Sequence, residues 1–173
     1  GMQPEHLAQR LAEAREKLLA TRERRPHPSR DDKVLASWNG LMLASLAETA
    51  CVLDRKDYLA AALANASFLL NSMTSEGYLR HTFKDGQAMV EAYLDDYASV
   101  VEGLLSLHQA TFSGEWLRQA IRLAEIAINA FWDESAGTFY DTSRRHEALF
   151  VRPVHDTKSV VGRVRSALEW HTR

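Results

Sequence analysis

The feature that most constrains this chain is an internal repeat. Leu46-Ala47, Tyr58-Leu59, Ala62, Ala66 and Gly77 recur as Leu104-Leu105, Trp116-Leu117, Ala120, Ala124 and Gly137. The offset is 58 residues and grows to 60 at the glycine. The apolar spacing inside each copy is helical, so the unit is a pair of helices. A period this long excludes the tetratricopeptide repeat of about 34 residues. One such hairpin cannot bury its apolar face alone, and stacking copies side by side is the physical solution.

Around the repeat the pattern predicts six helices. Pro4 to Arg24 carries Leu7, Leu11, Ala14 and Leu18 at helical spacing, and the prolines at 26 and 28 end that helix. Asp31 or Asp32 is then expected to cap a helix running to about Leu53. Between Val34 and Leu53 only Glu48 is charged, which predicts a helix buried on all sides. Asp57 is the expected cap of an Ala-rich helix from Tyr58 to about Met73. Asp95-Asp96 opens a fourth, nearly uncharged helix to about Thr111. A fifth, from Glu115 to Trp132, sets Arg118, Arg122 and Glu125 against Leu117, Ala120, Ile121, Ala124 and Ile128. A weaker sixth helix is expected over 157–171, with Gly162 inside it. The hairpins thus span about 33–73 and 94–132, in one domain with the first helix as an outer one.

The connections are of two kinds. Turns such as Asp54-Arg55-Lys56-Asp57 and Thr111-Phe112-Ser113-Gly114 are short. The other connections are long and aromatic: Gly77 to Val90 reads as a β-hairpin turning at Lys84-Asp85-Gly86, and Gly137 to Val151 is strand-like. In antiparallel hairpins the long connections gather on one rim, and long connections in compact domains tend to be functional. The rim is therefore the expected site. Asp31-Asp32 and Asp95-Asp96, 64 residues apart, are expected at the same level on neighbouring helices. A cap needs one carboxylate, and two stand at each place, so one of each pair is free in principle for acid–base work. Trp38, Asn39, Tyr93 and Tyr97 complete the candidate substrate surface, with Phe139 and Tyr140 nearby. Trp38 fits core and cavity lining equally, while Tyr93 lies just outside a helix. Arg152 before Pro153 either clamps a carboxylate or holds its own loop by an ion pair. His81 and His146, both in long connections, are weaker candidates for a base.

Other chemistries are excluded. The net charge is −2 over 173 residues, with 25% charged and 46% hydrophobic, the balance of an ordinary globular protein without nucleic acid or anionic lipid as its main partner. Arg22-Glu23-Arg24-Arg25 reads as a solvated helix end. The single Cys51 rules out an internal disulfide or a multi-thiolate zinc site and is expected to be a packing residue. Seven histidines show no metal-ligand spacing, and there is no phosphate-binding glycine loop or nucleophile elbow, so neither metal nor cofactor is expected. No run approaches about 18 apolar residues and no signal peptide opens the chain, so a cytoplasmic location is the default. Gly1 ahead of Met2 is set aside as an expression remnant.

The segments Arg30-Asp31-Asp32-Lys33-Val34-Leu35-Ala36-Ser37-Trp38-Asn39-Gly40-Leu41-Met42, Ala92-Tyr93-Leu94-Asp95-Asp96-Tyr97-Ala98, Phe131-Trp132-Asp133 and Val151-Arg152-Pro153 occur in this order. Together they resemble the YyaL-type family, the spermatogenesis-associated, thioredoxin-domain-containing group. The resemblance covers about residues 10–153. It implies an all-α fold, part of an (α/α)6 toroid similar to N-acylglucosamine 2-epimerases and six-hairpin glycosidases. The thioredoxin-like part of full-length members is absent here. After Pro153 the chain departs from the family pattern, and residues 152–173 hold five Lys/Arg against two Asp/Glu, as a truncated or frame-shifted reading frame would.

Two functions are therefore expected in competition. One is a carbohydrate-binding or carbohydrate-active domain, epimerase-like or glycosidase-like, with Asp31, Asp32, Asp95 and Asp96 as catalytic candidates. The other is a non-catalytic α-hairpin scaffold, or a remnant of a larger protein, that binds protein partners. Six helices are half of a twelve-helix toroid, and exposed flanks of inner helices predict a homodimer.

Overall fold

The computed structural model of the chain describes residues 3–146 and 153–154. The chain divides into two compact units, residues 1–32 and 33–173. In the first, α1 (Pro4–Glu23) is a 20-residue helix with Pro at its start and no buried residue. Pro suits that position because the first helical N–H has no partner to lose. Leu7, Leu11, Leu18 and Leu19 are all exposed.

The second unit holds β1 (Val34–Leu35), α2 (Ala36–Val52), α3 (Lys56–Asn71), β2 (Thr74–Ser75), β3 (Tyr78–Lys84), β4 (Gln87–Glu91), α4 (Leu94–Thr111), α5 (Gly114–Phe131), β5 (Trp132–Asp133) and β6 (Thr138–Phe139). The repeated hairpins are α2–α3 and α4–α5. Short turns join the members of each pair, and the strands occupy the long connections, as the repeat predicts. Residues 157–171, where a sixth helix is expected, lie outside the described residues.

The two inner helices, α2 and α4, make the most extensive contact in the fold. Glycine permits it. A Cβ on Gly40 would stand 2.5 Å from the Ser99 carbonyl carbon and 2.6 Å from the Val100 nitrogen, so the backbones touch directly. Gly103 faces back, with the Gly40 carbonyl oxygen 2.7 Å from where its Cβ would lie. Ser106 donates a hydrogen bond to Glu48 across the same interface. The core around it combines small and aliphatic residues, including Leu43, Ala47, Leu69, Leu79, Leu104, Leu107 and Leu123, with the aromatic Tyr97, Phe131 and Phe139. Each large side chain buried there contributes about 1.5–3 kcal/mol.

The helices differ from the sequence reading in four ways. First, α2 starts at Ala36, with Leu35 at its N-cap, so neither Asp31 nor Asp32 caps it. Val34 and Leu35 instead pair antiparallel with Phe83 and Thr82 of β3, a use that suits two branched apolar residues. Second, α2 is buried on one side only. Trp38, Leu41, Met42 and Val52 are exposed, because α3 and α4 cover the remaining faces and nothing among the described residues covers this one. Third, Cys51 is exposed rather than packed. Fourth, Asp57 lies inside the first turn of α3, with Arg55 at the N-cap holding it through two hydrogen bonds of 2.6 and 2.8 Å. By contrast α4 is buried almost all round, as its composition predicts.

The hairpin of β3 and β4 turns at Asp85 and Gly86, with φ of 51° and 79°. Two successive left-handed residues match the twist of the flanking strands, which is why glycine follows the aspartate. Its register sets Arg80 opposite Glu91 and Thr82 opposite Met89.

Candidate functional site

The N-terminal ends of α2 and α4 meet at one side chain. Asp96 is buried, with 1% of its surface exposed, and both of its oxygens are used. Oδ1 accepts the N–H of Ser37, in the first turn of α2, at 3.0 Å. Oδ2 accepts the N–H of Tyr93, the N-cap of α4, at 2.9 Å. Helix ends leave backbone donors without partners, and a carboxylate is their best acceptor. One aspartate thus serves two helices.

The same Oδ2 lies 2.8 Å from Nδ1 of His81, which β3 brings over from the long connection. Two backbone N–H groups already point at the carboxylate. The arrangement that satisfies every group therefore has Nδ1–H donating to Asp96, a tautomer assigned from the network. That leaves Nε2 as the basic end of the imidazole, and it has no partner among the described residues. Burial pushes the Asp96 carboxyl above its ordinary range, while hydrogen bonds from Tyr93, His81 and Ser37 limit the rise.

Aromatic rings flank the imidazole. The Tyr93 ring stands edge-on to His81, with centroids 5.0 Å apart. His146 packs on Tyr93 at the same separation, tilted by 30°. Ser143 donates its backbone N–H to Nδ1 of His146 at 3.0 Å, and His146 Nε2 lies 3.2 Å from the Glu91 carbonyl. Next to it, Glu91 forms a close ion pair with Arg80 and a looser one, at 3.9 Å, with Arg145. The Arg145 guanidinium lies 3.8 Å from the centre of the Tyr78 ring.

The structure separates the sequence-derived candidates. Asp95 is exposed in the first turn of α4, and Asp96 is the buried node. Asp31 and Asp32 are exposed in the first unit, on no helix, with Asp32 paired to Arg30. Trp38 is 71% exposed on α2, one residue beyond the Ser37 that Asp96 holds. Asn39 uses its amide within the fold, donating to the Leu35 carbonyl at 2.9 Å. Tyr93 is half-buried against His81. Tyr97 is a buried residue whose hydroxyl accepts the Leu79 N–H at 3.1 Å, and its ring meets Phe131. Phe139 packs on Trp132, and Tyr140 donates its backbone N–H to the Phe131 carbonyl. Arg152 lies outside the described residues.

Sequence reasoning did not pair His81 with Asp96, 15 residues on. Only the third helical position of Asp96, where a carboxylate reaches back to the cap, hints at it. Among the described residues no cluster of His, Cys, Asp and Glu could hold a metal. No described helix is long and apolar enough to cross a membrane. The grooves lined by Tyr78, Ile126 and Arg145 and by Asn71, Trp116 and Gln119 do not include His81 or Asp96.

No family model matches the chain. Spermatogenesis-associated protein 20 of mouse (Mus musculus) is 36% identical over 150 residues, which is 81% of this chain and 19% of that protein. The Homo sapiens protein of the same name matches to the same extent. An uncharacterised Caenorhabditis elegans protein is 28% identical over 154 residues. The chain therefore spans about a fifth of the length of these relatives. Among solved structures, cellobiose 2-epimerase from Bacillus thermoamylovorans superposes with a TM-score of 0.67 at 16% identity, covering 82% of this chain and 39% of that one. A sugar epimerase from a ruminal bacterium gives 0.64, also at 16% identity, covering 84% and 39%. At that identity the likeness establishes the fold, which is part of an (α/α)6 toroid.

Proposed function

Because the chain belongs to the spermatogenesis-associated protein 20 family over the segment it matches, we propose that this part of the toroid carries an acid–base centre acting on a carbohydrate. The observation that carries the reading is the contact of His81 Nδ1 with the buried Asp96 carboxylate at 2.8 Å. A carboxylate behind an imidazole fixes its tautomer and orientation and so aims the far nitrogen. Nε2 of His81 takes a proton from the carbon next to the carbonyl of the open-chain sugar, the electron pair moving onto the carbonyl oxygen as an enediolate. A proton then returns to the same carbon and the carbonyl re-forms, with solvent exchanging at the imidazolium between the two steps. Tyr93 and His146 form the ring wall beside it. Trp38 and Asp95, exposed in the first turns of α2 and α4, contact the rest of the sugar. Likeness to sugar epimerases supports the substrate class.

The test is proton exchange in deuterium oxide, followed by NMR with cellobiose, glucose and mannose. Deuterium is expected at one sugar carbon with the natural chain. His81→Ala is expected to slow it by about 10²–10⁴-fold while circular dichroism stays native. Exchange at an unchanged rate in His81→Ala would exclude this residue. Absence of both exchange and binding with every sugar would turn the reading to a scaffold.

The exposed apolar stripe of α2 supports a second role in assembly. Leu41, Met42 and Val52 form one helical face. We propose that this face pairs with its counterpart in a homodimer. Sedimentation equilibrium should then give a dimer that Met42→Glu dissociates, and a monomeric natural chain would remove the proposal.

A further inference from the structure

We propose that the groove between α3 and α5 is a second saccharide-binding site, taking one neutral sugar ring. It rests on different elements and different residues from the His81 centre, so the two proposals stand or fall separately. The groove has a volume of about 270 Å3, near the lower end of small-ligand sites, where one ring fits and a chain does not.

Its lining has the chemistry that recognises sugar hydroxyls. Ser67 and Asn71 come from α3, and Glu115, Trp116, Gln119 and Arg122 from α5. Hydroxyl pairs on a sugar are matched by planar groups that donate and accept side by side, as Asn71 and Gln119 do, and the two oxygens of the Glu115 carboxylate accept from neighbouring hydroxyls. Trp116 packs partly on the core and also lines the groove. It offers an aromatic surface to the C–H face of a ring and an indole N–H to a hydroxyl.

The polar groups are set in place rather than loose. Arg122 donates through Nε to Gln119 Oε1 at 3.1 Å and through Nη1 to the Gly77 carbonyl at 3.2 Å. Gln119 is thereby oriented with its amide N–H groups still to offer. The side chains of Asn71, Glu115 and Trp116 make no hydrogen bond among the described residues. Glu115 balances the Arg122 charge, so the lining favours an uncharged ligand.

A groove of about 230 Å3 lined by Tyr78, Ile126, Arg144 and Arg145 makes the contrast. Its arginines are spent inside the chain: Arg145 lies over Tyr78 and pairs with Glu91, and Arg144 donates to the Trp132 carbonyl at 3.5 Å. The α3–α5 groove keeps more of its polar groups for a ligand.

The experiment is an NMR titration of the isotope-labelled chain with methyl β-D-glucoside and with cellobiose. Saturating shifts are expected at the Asn71 and Gln119 side-chain amides and the Trp116 indole N–H. Asn71→Ala and Glu115→Gln, both at exposed positions, are each expected to weaken that binding about tenfold or more. His81→Ala should leave it unchanged. Shifts confined to the surroundings of His81, or groove shifts indifferent to both Asn71→Ala and Glu115→Gln, would overturn the proposal. So would the absence of saturating groove shifts with either sugar.

Discussion

The two inner helices begin in opposite ways. At α4 the sequence supplies its own acceptor, because Asp96 reaches back three residues to the Tyr93 N–H. At α2 the cap is Leu35, and the first turn holds no acidic residue. The donor of Ser37 is met by that same Asp96, 59 residues away in sequence. A local rule governs one helix start and a tertiary contact governs the other. The difference shows that the acidic pairs are not equivalent copies: one residue, Asp96, ties both helix ends and the His81 strand together.

The largest effect is expected where the comparison depends on close approach. Asp96 reaches Ser37 only because the α2 and α4 backbones touch at Gly40. Gly40→Ala puts a methyl 2.5–2.7 Å from backbone atoms of Ser99 and Val100, which cannot turn aside as a side chain does. Overpacking of this kind should cost about 3 kcal/mol or more, read from chemical denaturation. If Gly40→Ala unfolds at the natural midpoint, the helices have room to spare and the shared cap is incidental.

Next comes the node itself. Asp96→Ala strips both helix starts of an acceptor and leaves the Ser37 N–H buried without its partner. A cap contributes about 1 kcal/mol and a buried unsatisfied donor costs about 1–3 kcal/mol. The expected total loss is about 3 kcal/mol. A loss below about 1 kcal/mol, the scale of a single cap, would return α2 and α4 to independent starts.

These contacts mark where the sequence was legible. The hairpin repeat, the short and long connections and the buried α4 follow from local periodicity, which a chain displays openly. Trp38, Cys51 and the start of α2 do not. An uncharged helix looks buried on every side, but burial depends on neighbours that the sequence of one helix does not contain. Val34-Leu35 could continue a helix or pair with a strand, and only the position of β3 decides. Likewise the rim was legible as a place, from the gathered long connections. The pairing of His81 with Asp96 was not, because it is set by the register of the β3–β4 hairpin.

A pH series sharpens the same contrast. Burial raises the Asp96 carboxyl above its ordinary 3.8 in the folded chain. The unfolded chain therefore ionises this group first as pH rises. The contribution of Asp96 is greatest below about pH 4, falls as pH climbs through the folded value, and is constant above it. Asp96→Asn cannot titrate. The stability difference between the natural chain and Asp96→Asn should thus shift against the natural chain from about pH 3.5 to about pH 7. A shift in its favour over that range would mean that the hydrogen bonds outweigh burial.

The smallest effects are expected at the other acidic pair. Asp31 and Asp32 are exposed, lie outside any helix, and belong to the first unit. The Asp32 contact with Arg30 is an exposed ion pair, a class that contributes about 0–1 kcal/mol. Asp31→Ala and Asp32→Ala should each change stability by less than about 0.5 kcal/mol in thermal unfolding. If either matches Asp96→Ala, an acidic residue before α2 contributes as much to the helix starts as Asp96 does. The two helix starts would then be alike after all. A null result at both positions beside a large loss in Asp96→Ala would establish the asymmetry, since the three variants remove the same carboxylate and differ only in what it touches.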